Sequence, residues 1–348
     1  MFLKTKNIGD SIILTSAISA LPKDYRYVDV VCLPESEPIF KMHPRVRHVF
    51  VIPRHLKGLS KIMAYIKFYK AIASQSYDFL AHFSNDWRGA FIQRLFPAKL
   101  SVARKTHRRG QFWHQSFDIV TKSLDDVRPM AEQDVDLLRA SHLFKSQKAP
   151  PYLIKPSLPQ KSKIKTWLSK QSISSKQKLV VVHAPSRWKF KELPIATWAY
   201  VIDTLKKNTY EVILCGSKED LLTNEAIHKA CNMKPIVTKN FSLKDTAALY
   251  SMAHLVLAID SMSTHLASAT QTPVISIFGP SNEKNWGPWG VKHRVIALTS
   301  KDSPTFSCRP CGQDGCEGSK VSQCLEQMKP TMITHEALSM LRKIKLNW

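Results

Sequence analysis

The sequence is short of acidic residues and has no long apolar run. Asp and Glu number 27 against 51 Lys and Arg, a formal net charge of +24. No apolar stretch approaches the roughly 20 residues needed to cross a bilayer, so no membrane-spanning helix is expected. Lys4, Lys6 and Asp10 interrupt the apolar core that a signal peptide requires, which places the chain in the cytoplasm as an expectation. Internal repeats and low-complexity tracts are absent too. What remains is a composition of 44% hydrophobic and 22% charged residues, that of a folded globular chain rather than a disordered one. At 348 residues it is long enough for two domains of ordinary size.

The excess of cations predicts attraction to polyanions, whether nucleic acid, acidic lipid headgroups or phosphorylated sugars. A basic nucleic-acid-binding protein is one reading. It is the weaker one, because no recognition module is visible and the basic residues follow no helix stripe; no nucleic acid is expected as partner. Cysteine usage is uneven. Cys32, Cys215 and Cys231 sit in apolar surroundings and read as small core residues. Cys308, Cys311, Cys316 and Cys324 crowd one segment. Its C-x2-C step could hold a structural zinc, but the second pair is irregularly spaced, so thiols around a Gly-rich turn are the default and a zinc site the minor alternative.

Short β-rich runs alternate with helical patterns, the signature of parallel βαβ units. Strands are expected at 27–33, 49–52, 78–82 and 100–103, and helices at 11–21, 59–74, 88–95 and 132–144. Pro150, Pro151, Pro156 and Pro159 interrupt regular structure between 149 and 160, which sets a domain boundary there. Beyond it, strands are expected at 179–183, 210–215, 255–259 and 273–278, with helices at 195–207, 219–231, 243–252, 264–270 and 333–345. The expected organisation is an α/β chain with domains at 1–155 and 156–330, followed by a terminal helical segment at 331–348 returning toward the first domain. Two such sheets place a ligand cleft between their carboxyl ends.

Three strand exits carry candidate chemistry. The opening strand is expected to be unusually short and leads through Gly9 to Asp10, either a helix N-cap or a carboxylate able to take a proton from an attacking hydroxyl. The loop Ser186-Arg187-Trp-Lys-Phe-Lys191 follows a buried strand and offers cations for a diphosphate. Asp260-Ser261-Met262-Ser-Thr-His265 ends another strand, with Ser263 or Thr264 expected to cap a helix whose N-terminus can hold phosphate oxygens. His265 reads equally well as a buried, satisfied side chain.

Taken in order, these segments resemble the lipopolysaccharide heptosyltransferases, glycosyltransferase family 9. Gly9-Asp10-Ser-Ile-Ile-Leu-Thr-Ser is similar to the family's opening G-D-x-x-L-T-T, Arg187 to Lys191 to its R-x-x-x-K, Asp260 to His265 to its D-[ST]-x-x-x-H, and Phe278-Gly-Pro with Trp286-Gly-Pro-Trp289 to its F-G-P…W-x-P-W. The stretch from Cys308 to Leu325 is most similar to the heptosyltransferase III branch. The resemblance implies a GT-B fold, two Rossmann-like domains facing each other across a cleft. It implies inverting transfer of heptose from ADP-heptose to the lipopolysaccharide inner core, with no metal required. Asp10 would be the general base and Lys191 the cation on the leaving diphosphate. Ser186, Arg187, Glu219, Asp260, Ser261, Met262 and His265 would frame the donor. Arg104, Lys105, Arg108 and Arg109 are the candidates for meeting the phosphorylated acceptor, and peripheral contact with the anionic inner membrane is expected. Another sugar nucleotide in cell-surface glycan synthesis is the alternative on the same scaffold.

Overall fold

In the computed structural model, which describes residues 1–54, 56–121, 127–173 and 177–345, the chain divides into two compact units, Met1–Lys155 and Pro156–Trp348. The last three residues of the expected 331–348 segment lie outside the described residues.

The first unit runs β1 (Phe2–Lys4), α1 (Ile8–Ala20), β2 (Val28–Cys32), α2 (Glu37–Lys41), β3 (Val46–Val51), α3 (Gly58–Ala73), β4 (Phe79–His82), α4 (Trp87–Leu95), β5 (Leu100–Arg104), α5 (Gln111–His114), β6 (Ile119–Thr121) and α6 (Met130–Ala140). Its strands form one parallel sheet in the order β3-β2-β1-β4-β5-β6. Only three residues long, β1 is nonetheless central, with Leu3 opposite Val31 on one side and His82 on the other. A strand so short survives there because its side chains are fully buried between both neighbours.

The second unit begins with α7 (Leu158–Lys170) and continues β7 (Leu179–His183), α8 (Ile195–Lys207), β8 (Glu211–Leu214), α9 (Leu221–Ala230), β9 (Ile236–Val237), α10 (Leu243–Tyr250), β10 (Leu255–Ile259), α11 (Met262–Ala269), β11 (Val274–Ile277), α12 (Glu283–Trp286), β12 (His293–Ile296), α13 (Gln323–Glu326) and α14 (Pro330–Lys343). The sheet is again six parallel strands, in the order β12-β11-β10-β7-β8-β9. Its central strands bury all five residues of β7 and of β10. The apolar face of α14, through Ile333, Ala337 and Leu341, lies in the core of this same unit together with Trp198 and Ile202 of α8.

The proline-rich segment does not exclude regular structure as the sequence suggests. Pro159 occupies the first turn of α7, where its missing N–H costs nothing, and Ser157 with Gln160 forms a capping box around it.

Each sheet reverses direction once. Successive strands run outward from β1 to β3 and then from β4 to β6; in the second unit they run from β7 to β9 and then from β10 to β12. At such a switch point the two flanking loops leave on opposite faces and open a crevice at the carboxyl ends of the strands. Thus the loops after β1 and β4 define one candidate position, and those after β7 and β10 define another.

Candidate active site

In the first unit the loop after β1 holds Thr5, Lys6 and Asn7 and then enters α1. The helix starts earlier than the sequence suggests: Asn7 is the N-cap and Asp10 the third helical residue, with Gly9 before it in the same turn. Asp10 is therefore not the capping residue. Among the described residues its carboxylate accepts no hydrogen bond and joins no ion pair, so it is left half-buried at the positive end of α1.

The loop beneath it is fixed from several sides. Thr5 N–H donates to Ser84 Oγ at 2.8 Å, and the Thr5 hydroxyl donates to Asp86, so the exits of β1 and β4 are tied together. Lys4, fully buried at the end of β1, donates to Asp134 Oδ2 at 2.8 Å, and Arg104 Nη2 donates to Asp134 Oδ1 at 2.8 Å. Burial pushes the Lys6 amine below its ordinary value, helped by the neighbouring Lys4 ammonium and opposed by the Asp10 carboxylate.

The basic stretch singled out in the sequence is divided by the fold. Arg104 is part of the buried network around Asp134 and also donates to Gln133 O. Arg109 donates to Asn85 O at 2.6 Å and stacks over the Trp87 ring, while Lys105 and Arg108 are exposed. Trp113 is buried and donates to Asp86 O, pinning this segment to the β4–α4 loop. Arg104 is thus not part of a solvated loop, whereas Lys105 and Arg108 remain at the surface.

In the second unit the neighbouring exits of β7 and β10 bring two sequence-distant groups into contact. Lys191 Nζ donates to Asp260 Oδ2 at 2.6 Å. Lys191 ends a single 3₁₀ turn, Lys189–Lys191, while Asp260 directly follows β10. Glu192 shapes the loop: it accepts from Ser186 N–H at 2.8 Å and from Lys189 Nζ at 2.9 Å. No local signal marks Glu192 as such, since its partners only become partners once the loop has turned. Ser186 Oγ accepts from Trp188 N–H, and Arg187 is exposed.

Helix α11 also begins earlier than expected. Ser261, rather than Ser263 or Thr264, is the N-cap, its Oγ accepting from Ser263 N–H. Ser263 and Thr264 point the other way. Ser263 Oγ is 2.6 Å from the Tyr250 hydroxyl, and Thr264 Oγ1 donates to Ile259 O and lies 3.0 Å from Ser276 Oγ. These bonds fix the helix N-terminus against β10, β11 and α10. Met262 is half-buried beside Ser261, whereas His265 is buried one turn in. Glu219 is exposed in the loop after β8, where its own backbone N–H lowers its carboxyl below the usual value, while the Ser217 N–H and hydroxyl donate to Asp220 Oδ2 at 2.7 and 2.9 Å.

The cysteine-rich segment braces this site from behind. Ser322 Oγ donates to Phe190 O at 2.6 Å, next to Lys191. Leu325 packs so closely on Gly279, after β11, that a Cβ there would lie 2.6 Å from its Cδ1. The nearly buried Arg309 guanidinium donates to Gly279 O, Leu298 O and Ser281 O and pairs with Glu283 at 3.0 Å. All four thiols are free: Cys308 is exposed, Cys311 and Cys316 half-buried, Cys324 buried. Among the described residues no three His, Cys, Asp or Glu side chains are placed to share a metal ion. The Arg309 and Ser322 contacts hold this segment in position.

The sequence and the fold are matched in known proteins. Residues 65–312 fit the family described as glycosyltransferase family 9 (heptosyltransferase). Lipopolysaccharide heptosyltransferase 3 of Escherichia coli is 27% identical over 298 residues, 81% of this chain and 83% of that protein. The fold is shared with a glycosyltransferase family 9 structure from Veillonella parvula, at a TM-score of 0.83 and 17% identity over 98% of this chain and 96% of that one. It is also shared with the E. coli ADP-heptose lipopolysaccharide heptosyltransferase II structure, at a TM-score of 0.78 and 18% identity over 98% of both chains. Two parallel six-stranded sheets with flanking helices, in the GT-B class, and a family match over most of the sequence lead to one conclusion: the chain is a glycosyltransferase and belongs to glycosyltransferase family 9, the heptosyltransferases.

Proposed function

We propose that this enzyme transfers heptose from ADP-heptose to the inner core of lipopolysaccharide, with inversion at the anomeric carbon. The second unit would bind the donor and the first the acceptor. The observation that carries the donor assignment is the Lys191–Asp260 pair at a sheet switch point, beside the N-terminus of α11. A diphosphate there would take Lys191 as a charge-assisted donor, and the helix N-terminus would add its positive end. Asp260 would hold the Lys191 ammonium in place before the donor arrives. Ser186, Arg187, Ser261, Met262 and His265 are proposed to shape the pocket around the nucleotide and sugar, and Glu219 to approach the ribose.

In the chemical step the acceptor oxygen attacks the anomeric carbon, Asp10 takes the hydroxyl proton, and ADP departs with the electrons of the broken bond. Negative charge gathers on the diphosphate as the bond lengthens, and stabilising it at fixed cations and dipoles is the kind of contribution that dominates such transfers. Lys105, Arg108 and Arg109 are proposed to meet the phosphorylated acceptor; Arg104 would act through Asp134 instead. These features suit ADP-heptose as donor, the sugar nucleotide for which the E. coli heptosyltransferase II of the same fold is named.

The donor assignment is tested by calorimetric titration with ADP and with ADP- and UDP-sugars, without added metal. Selective binding of ADP and ADP-heptose is expected. A hydrogen bond to a charged group contributes about 1.5–3 kcal/mol, so Lys191→Ala should weaken ADP binding roughly 10- to 100-fold. Preference for UDP, or equal affinity in the variant, would remove ADP-heptose and Lys191 from the assignment.

A further inference from the structure

The first unit leaves an unusual amount of apolar side chain in solvent. On α3 the stripe Leu59, Ile62, Met63 and Ile66, spaced i, i+3, i+4, i+7, faces outward, with Leu59 79% and Met63 65% exposed. The buried contacts of this helix come from Phe68 and Ile72 in its last turns. Trp87, Phe91 and Leu95, one turn apart on α4, are exposed as well, Leu95 by 60%. Trp87 lies 6.2 Å from Phe91 and 6.1 Å from Phe112, itself half exposed. The two helices meet where Phe96, next to Leu95, stands 6.2 Å from Tyr69, and an open hollow between them is lined by Ile62, Tyr65, Ile66 and Tyr69. Contiguous exposed apolar surface of this kind marks an interaction site rather than ordinary exposure.

Its charge names the partner. Residues 53–77 and 87–117 carry Lys and Arg throughout and not one Asp or Glu. Lys61 and Lys70 border the hollow, while Arg109 stacks on Trp87 and Arg94 on Phe112, the latter at 4.0 Å. Basic and aromatic side chains are therefore neighbours in space on this face. Asp86, the N-cap of α4 at the edge of this face, is paired with Arg88 at 3.5 Å and bonded to Thr5, so the cations dominate. Aliphatic, aromatic and cationic groups together are complementary to the headgroup and upper acyl region of an anionic bilayer. A nucleic acid would satisfy the cations and the rings but would leave Leu59, Ile62, Met63 and Ile66 without a partner.

We propose that the face formed by α3 and α4 docks this enzyme on an anionic lipid surface, with the α3 stripe and Trp87, Phe91 and Leu95 entering the interface and the surrounding lysines and arginines engaging headgroup phosphates. For its purpose, delivery to a lipid-borne acceptor, the proposal rests on the transfer reading above; its geometry is independent of it. The full chain is sedimented with vesicles of phosphatidylcholine alone and of phosphatidylcholine with about 25% phosphatidylglycerol, and ADP binding is measured on every variant as a check of folding. The wild type should partition onto the anionic vesicles at least about tenfold better than onto neutral ones. Ile62→Ser/Ile66→Ser/Leu95→Ser and, separately, Lys61→Glu/Lys70→Glu should each lose about tenfold or more of that binding with ADP affinity unchanged. Equal partition onto both vesicles, or no loss in either variant, overturns the proposal. So does a wild-type dimer in sedimentation velocity that dissociates in the apolar variant, or duplex DNA binding without vesicle binding. If vesicles are bound as stated but ADP-heptose is neither bound nor used, the transfer reading fails and the docking face stands.

Discussion

Asp10→Ala is expected to lower the turnover number by roughly 10²–10⁴ while leaving donor affinity unchanged. The size follows from the proposed role: without a positioned base, the acceptor hydroxyl would have to lose its proton to water as it attacks. The structure offers little competing work for this side chain. Asn7, not Asp10, caps α1, and among the described residues the Asp10 carboxylate has neither hydrogen bond nor ion pair. A residue kept only for capping would lose about 1 kcal/mol of stability on replacement and would leave turnover alone. Asp10→Asn keeps the shape and removes the base, so it should be nearly as slow as Asp10→Ala. Unaltered turnover in both, on protein that binds donor normally, would take the base away from Asp10.

The second large effect lies in the support beneath that loop. Lys4 and Asp134 form a buried ion pair between β1 and α6, with Arg104 on the other carboxylate oxygen. Removing one member of such a pair leaves an uncompensated buried charge, which typically costs about 3–5 kcal/mol. Asp134→Ala should therefore shift the urea unfolding midpoint strongly downward. Replacing the group as a whole is different. Lys4→Met/Arg104→Met/Asp134→Leu exchanges all three charged side chains for apolar volume and should recover much of the loss, because their desolvation disappears with them. A single variant within about 1 kcal/mol of wild type would mean that solvent reaches the site and that the pair does not anchor the loop.

These two sites differ in how far the sequence reveals them. Strands such as Leu179–His183 and Leu255–Ile259 stand out because they are continuous apolar runs buried on both faces, and the structure places them at those residues. The short strands Ile119–Thr121, Ile236–Val237 and His293–Ile296 carry no such pattern; they exist because a neighbouring edge supplies their hydrogen bonds. Helix starts are harder to read than helix bodies. Several Ser, Thr, Asn or Asp residues stand before α1 and α11, and only the backbone geometry selects Asn7 and Ser261 among them. The exits of β7 and β10, holding Lys191 and Asp260, and the start of α1, holding Asp10, are visible in the sequence as segments with candidate chemistry. That Lys191 and Asp260 meet follows from β7 and β10 being neighbours in the sheet, and no local spacing encodes a contact between residues 69 apart. The Lys4–Asp134 pair, 130 residues apart, and the brace from Ser322 to Phe190, 132 apart, are hidden for the same reason.

The central claim is heptose transfer from an ADP donor, and the direct measurement is transfer itself. Purified enzyme is incubated with ADP-heptose and lipopolysaccharide inner-core acceptor in the presence of a metal chelator, and the product is followed by mass spectrometry and NMR. Release of ADP, addition of one heptose to the acceptor, and an anomeric configuration opposite to that of the donor are expected. No transfer from ADP-heptose, transfer from a UDP-sugar instead, or retention of configuration would contradict that claim.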